Sequence, residues 1–211
     1  MIIQKKTQFV RLSALTLVVL GVIYIGLIVW GIITQDPETG FIRDHVRILM
    51  EIVTMLSAIA LLFLAISIKY LLHPDHNFLA EIGVLFMILL VTLTSIVHFV
   101  SITVSSQIVS SNPSLAPLFS LEWPSLLLSI DILAWDIFFG FGFIFLGLSL
   151  RKLKSLSMVS LFMILSGILS IFGLIALPLN NMDIRFIGIF GYTVLPVISS
   201  VILLFKIGKL E

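Results

Sequence analysis

Ser125 to Ser149 reads SLLLSIDILAWDIFFGFGFIFLGLS, 25 residues with no Lys or Arg and only Asp131 and Asp136 as charges. A stretch this long spans a hydrocarbon layer about 30 Å thick if it is helical, because each residue then rises about 1.5 Å. Helix is the conformation to expect, since lipid offers no partner for free backbone N–H and C=O groups.

Working outward, the same reading applies at approximately 12–34, 47–70, 79–105, 155–178 and 186–206. The expected fold is therefore all-α, a polytopic transmembrane bundle of six helices forming a single transmembrane domain over 1–211. Turn and loop residues separate the spans: DPETG at 36–40, HPDHN at 73–77, a Ser/Asn/Pro-rich stretch at 110–124, RKLK at 151–154 and PLNN at 178–181. The start, MIIQKKTQFVR, is a basic flank to the uncharged run Leu12–Gln35. That run is longer than a signal-peptide core and lacks a small-residue cleavage site, so it reads as an uncleaved first span.

Composition agrees, with 60% hydrophobic and 11% charged residues. A formal net charge of +1 without a basic cluster argues against a nucleic-acid partner. The chain has no cysteine, which removes disulfides, thiolate catalysis, Cys-ligated zinc and iron–sulfur clusters. Lys5, Lys6, Arg11, Lys69, Arg151, Lys152, Lys154, Lys206 and Lys209 fall on one side of the spans, against Arg43, Arg47 and Arg185 on the other. The positive-inside tendency then places both termini in the cytoplasm.

On the fourth span Ser125, Ser129, Asp136, Gly140 and Gly147 form a small, polar stripe, which predicts a central helix that neighbours approach closely. Ser166, Ser170 and Gly173 on the fifth span and Gly21 and Gly26 on the first read as further packing positions. Pro196 inside the sixth span frees the carbonyl of Tyr192 and predicts a bend, with Thr193 placed to satisfy the freed group.

Charged side chains within a bilayer cost about 2.5–3.5 kcal/mol each on insertion scales, so they turn toward the bundle interior and mark candidate sites. Glu81 lies within a turn of the boundary and is solvated there. Asp136 lies about 18 Å along the helix from the outer end of its span, close to the midplane. It reads either as the buried anchor for a proton, cation or ligand amine, or as a carboxyl tying spans together. Arg47, Glu51, His98, Asp131 and Arg185 come to a similar depth near the outer surface, either as the rim of one polar pocket or as ordinary interfacial ion pairs. Thr94, His98, Ser101 and Ser105 share a face of the third span. On an ideal α-helix Asp131 and Asp136 point about 140° apart, so both face protein only if the fourth span is surrounded.

Several chemistries lack their residues. His73 and His76 suggest a metal-binding turn, but zinc needs three or four converging ligands, and His45 and His98 lie toward the opposite face. His98 is alone inside a span, which disfavours bis-histidine haem. No span interior holds a Lys for a Schiff base, and neither a G-x-S-x-G elbow nor a Gly-rich phosphate loop is present. No metal or cofactor is expected.

Two segments, Glu122-Trp-Pro-Ser125 running into Asp131-Ile-Leu-Ala-Trp-Asp-Ile-Phe-Phe-Gly140, and Asn181-Met-Asp-Ile-Arg-Phe-Ile-Gly-Ile-Phe-Gly-Tyr192, carry a resemblance. They resemble a group of small, uncharacterised six-span integral membrane proteins of bacteria and archaea. The likeness covers roughly the C-terminal half. It implies a prokaryotic plasma-membrane protein and draws attention to Trp123, Asp131, Trp135, Asp136, Arg185 and Tyr192, without supplying a reaction.

The functional expectation is a non-enzymatic membrane protein whose bundle holds an outward-facing polar site for a small solute, ion or lipid. Asp136 would be its anchor, with Arg47, Glu51, His98, Asp131 and Arg185 as its rim and Trp135 and Tyr192 added by the resemblance. Alternatives are a proton- or cation-coupled secondary transporter, an accessory subunit of a membrane complex, and an intramembrane enzyme using His98 and a carboxylate. Expected partners are the bilayer, such a small ligand, and another membrane protein or a second copy of the chain.

Overall fold

The computed structural model describes residues 2–37, 42–72 and 78–208, with the side chains of 2–5 and 106 left aside. The His73–His76 turn, most of the DPETG loop, Lys209 and the Lys5 side chain lie outside the described residues. Six long apolar helices run through the described chain: α1 (Ile2–Ile33), α2 (Asp44–Leu71), α3 (Phe78–Ser105), α4 (Leu126–Leu150), α5 (Lys154–Ala176) and α6 (Met182–Ile207). There is no strand among the described residues, and the architecture is an all-α bundle of six membrane-spanning helices.

The helices outrun the apolar runs that predicted them. α1 starts at Ile2, ten residues before Leu12, because the basic flank continues the helix beyond its greasy part. After α3 the helix continues through Ser111, and a short helix at Ala116–Phe119 follows, so the expected long loop between the third and fourth spans is partly helical. Ser125 caps α4 by accepting a hydrogen bond from the Leu128 amide at 3.1 Å. Between α5 and α6 the chain turns at Asn180, whose φ of 47° lies in the left-handed region that Asn tolerates better than most residues.

Consecutive helices pack side by side, and α6 returns against α1 to close a ring. Such a ring brings the start of α1 and the end of α6 to the same end of the bundle. The other end, called here the loop end, carries 34–37, 42–43, 106–125 and 177–184.

Burial is uneven. In its most apolar stretch α4 is 61% buried and α1 only 17%. Glycines on two opposite faces of α4 explain its position. Gly142 meets Gly83 of α3, while Gly140 and Gly147 meet Gly167 and Ser160 of α5. A Cβ on any of these would run into a backbone oxygen or a packed side chain across the seam. Ser129, expected on this packing stripe, is instead exposed and bonds back to the Ser125 carbonyl at 2.7 Å. On α1, Gly21 abuts Val197 of α6, whereas Gly26 has nothing within 4 Å.

Serines of α5 supply a second kind of glue. Ser160 donates to the Gly147 carbonyl at 2.7 Å, Ser166 to Gly191 at 2.6 Å and Ser170 to Trp135 at 2.7 Å. Away from the loop end the interior is solid, filled by Phe139, Phe143, Leu146, Leu64, Ile68 and Leu203, each at most 2% exposed. At that far end Lys69 of α2 pairs with half-exposed Glu81 of α3 at 3.2 Å.

Candidate functional site

Two π-helical segments shape the loop half of the bundle. Ser101–Ser105 ends α3 this way, and Leu133–Phe139 interrupts α4. A π turn closes its hydrogen bonds one residue later than an α turn, so it holds an extra residue. In α4 the expected clash of directions is met by flanking the helix on both sides, so that Asp131 looks toward α3 and Asp136 toward α5 and α6. Asp131 and Asp136 both turn to protein, with side-chain exposures of 17% and 1%. Ser170 supports the π segment by bonding the carbonyl of Trp135 within it.

A chain of alternating acidic and basic side chains crosses from α2 to α4. Arg47 reaches Asp44 at 3.1 Å, Glu51 at 3.0 Å and the Ser101 hydroxyl at 3.5 Å. His98 of α3 lies between the two carboxylates, its Nδ1 3.7 Å from Glu51 and its Nε2 3.4 Å from Asp131. Neither contact is a formed hydrogen bond, and both ring nitrogens, Glu51 Oε2 and Asp131 Oδ1 are buried without a hydrogen-bonding partner. Neutral imidazole carries a single N–H, so satisfying both sides takes one more proton, on the ring or on a carboxyl.

The same geometry limits the catalytic alternative. A serine hydrolase needs one ring nitrogen on a carboxylate and the other on a hydroxyl; here both face carboxylates. Nor do the three groups make a chelate, because the ring separates the acids. No cluster of three or more His, Cys, Asp or Glu able to hold a metal ion occurs among the described residues.

Arg185 takes a different place from the rim position expected of it. It is buried and pairs with Asp136, Nη2 to Oδ2 at 3.7 Å. Depth alone suggested the rim, whereas the face of α6 that carries Arg185 also carries Gly188, and that face meets α5 at Gly173. A Cβ on Gly173 would stand 3.4 Å from Asp136 Oδ2, and one on Gly188 3.5 Å from Oδ1. The carboxyl group is thus seated on a glycine crossing.

Two cavities occupy the loop half. A vestibule of about 570 Å³ is lined by Arg47, Glu51, Ser101, Ser105 and the 119–122 segment, among others. Behind it an inner chamber of about 130 Å³ reaches from Asp131 and Trp135 of α4 to Ser57 and Leu61 of α2, Leu17 and Gly21 of α1, and Tyr192, Thr193, Pro196 and Val197 of α6. Tyr24, Thr54 and His98 belong to both linings and stand where the two cavities adjoin. Asp136 and Arg185 line neither. Trp123 is exposed in the segment before α4 and is absent from both linings.

Tyr192 and Trp135 pack with ring centroids 5.3 Å apart and planes tilted by 37°, and together they form an aromatic side of the chamber. Pro196 sits in the same wall; Thr193 donates at 2.6 Å to the carbonyl of Ile189, not to that of Tyr192 as its spacing suggested. Sequence reasoning missed Tyr24, Thr54 and Ser57. A signal for two of them was present: Arg47, Glu51, Thr54 and Ser57 recur every three or four residues, the stripe of a polar helix face. Comparison of the chain with family models, curated proteins and solved structures finds no match in any of the three.

Proposed function

We propose that the chain is a non-enzymatic multi-pass protein of a prokaryotic plasma membrane that receives a small solute, ion or lipid in a polar site open to the outer face. The observation that carries this reading is that vestibule and chamber adjoin, sharing Tyr24, Thr54 and His98 in their linings, with unpaired buried polar atoms beside them. Buried polar atoms are normally hydrogen-bonded, so a run of them along a cavity marks a place where another molecule, water or ligand, completes the bonding. The outward assignment rests on the Lys-rich opposite end and the positive-inside tendency, which also sets both termini in the cytoplasm.

A cysteine-free chain permits a direct test. Ser57→Cys, in the chamber wall, is expected to react with a membrane-impermeant thiol reagent added outside intact cells and not with the same reagent added to the medium around inverted vesicles, whose exposed surface is the cytoplasmic face. Ser67→Cys, ten residues along the same helix in the packed half, is expected to stay unlabelled from both sides. An unreactive Ser57→Cys in folded protein, or labelling from the inner face only, sinks the reading.

A second reading, secondary transport, is favoured by one observation. The chamber ends against Leu17, Leu61 and Val197 with a packed half beyond, the shape of one end state of alternating access, and Pro196 stands in its wall. Labelling of Ser57→Cys that shifts from the outer to the inner face as a solute or proton gradient is imposed would establish it.

A further inference from the structure

We infer that the inner chamber is a site for a small organic ammonium group, held by the Asp131 carboxylate and the ring faces of Tyr24, Trp135 and Tyr192. This deepens the solute-site reading and rests on it.

Three features of the wall select that chemistry. The first is charge. Asp131 lines the chamber, Arg47 lines only the vestibule and Arg185 neither cavity, so His98 is the one basic side chain in the wall. His98 is more than nine-tenths buried, is shared with Glu51, and forms no hydrogen bond with Asp131, whose buried Oδ1 lacks a donor.

The second is the direction of the hydroxyls. Thr54 gives its hydrogen to the Met50 carbonyl at 2.9 Å and Thr193 gives its hydrogen to Ile189 at 2.6 Å. Both therefore offer lone pairs to the chamber. Acceptors of this kind suit a ligand that brings its own N–H or polarised C–H donors.

The third is shape. Three aromatic residues, on α1, α4 and α6, share with the Asp131 carboxylate the lining of a space of about 130 Å³. Aromatic faces attract cations through their quadrupoles, and such cages are the usual recognition of quaternary ammonium groups. A cavity of about 150 Å³ accepts benzene, so roughly six non-hydrogen atoms fit here. Anions are disfavoured by the same wall, and an uncharged solute leaves Asp131 only His98, which is shared with Glu51.

The test uses the full chain carrying Trp30→Phe and Trp123→Phe, which leaves Trp135 as sole reporter. Both removed tryptophans are exposed and outside the chamber. In neutral maltoside micelles, tetramethylammonium and choline are expected to change Trp135 emission saturably, and the uncharged isostere 3,3-dimethylbutanol to bind about tenfold more weakly. Asp131→Asn should remove that preference. Tyr24→Leu, which spares the carboxylate, should weaken the cations several-fold and serves if Asp131→Asn does not fold.

Two arms separate the sources of the ammonium. In phosphatidylglycerol bilayers a free cation protects Ser57→Cys from labelling if the ligand comes from water. If it is a lipid headgroup, adding phosphatidylcholine to those bilayers gives the same protection without added cation. Either result supports the site. Equal response to cation and alcohol, or cation binding indifferent to Asp131→Asn and Tyr24→Leu, overturns the ammonium inference while leaving the solute site standing. An unlabelled Ser57→Cys overturns the solute site itself.

Discussion

Asp131 and Asp136 stand five residues apart on one helix and occupy opposite kinds of surroundings. Asp131 faces the flank built by α1, α2 and α3, where a cavity borders it and His98 is its basic neighbour at 3.4 Å. Neither acid is fully hydrogen-bonded: Asp131 Oδ1 and both oxygens of Asp136 lack a donor. Asp136 faces the flank built by α5 and α6, where glycine backbones touch, serine hydroxyls bond carbonyls across helices and a buried arginine answers the charge. The difference teaches that an acid inside an apolar bundle is not by itself a site. What distinguishes the two is whether the neighbouring helices close over it, and that is decided by small residues on those neighbours.

Substitutions should respond to this asymmetry, beginning on the closed flank. Arg185→Ala strands a buried carboxylate and is expected to cost about 3–5 kcal/mol of stability, read by thermal or denaturant unfolding in detergent. A loss under 1 kcal/mol would mean that Asp136 is neutral or finds another partner. Gly188→Val pushes side-chain atoms onto the Gly173 backbone and the Ser170 carbonyl, an overpacking of about 1–3 kcal/mol by the same assay.

On the open flank, Arg47→Ala removes a partly exposed partner of exposed Asp44 and of Glu51, which borders the vestibule and keeps His98 at 3.7 Å, so its effect on unfolding should stay well below that of Arg185→Ala. A cost equal to that of Arg185→Ala would erase the distinction drawn between the flanks.

The six-helix fold was legible because it follows from apolar length, and no tertiary detail is needed to recognise a stretch such as Ser125–Ser149. The grouping of Arg47, Glu51, His98 and Asp131 was legible as well, since alternating topology fixes the depth of each. Depth says nothing about azimuth. Arg185 shares the level of that group yet turns to Asp136, a choice made by the crossing of Gly173 and Gly188. Periodicity applied to α6 brings Arg185, Gly188 and Tyr192 onto one face and could have exposed the link. The π segment at Leu133–Phe139 had no such signal, because its extra residue is held by a hydroxyl on another helix, Ser170. Tyr24 was hidden for a related reason: it joins the chamber only through the close approach of α1 to α6 at Gly21 and Val197.

That extra residue in α4 acts as a phase shifter between two gears. Up to Ile132 the helix keeps time with the polar partners on α2 and α3; from Gly140 it keeps time with the two glycine seams. Deleting a single residue between Leu133 and Phe139 would advance everything beyond it by about a quarter turn and unseat both seams at once, whereas exchanges upstream leave the seams in step. The chain is thereby free to retune its open pocket without disturbing the frame that carries it.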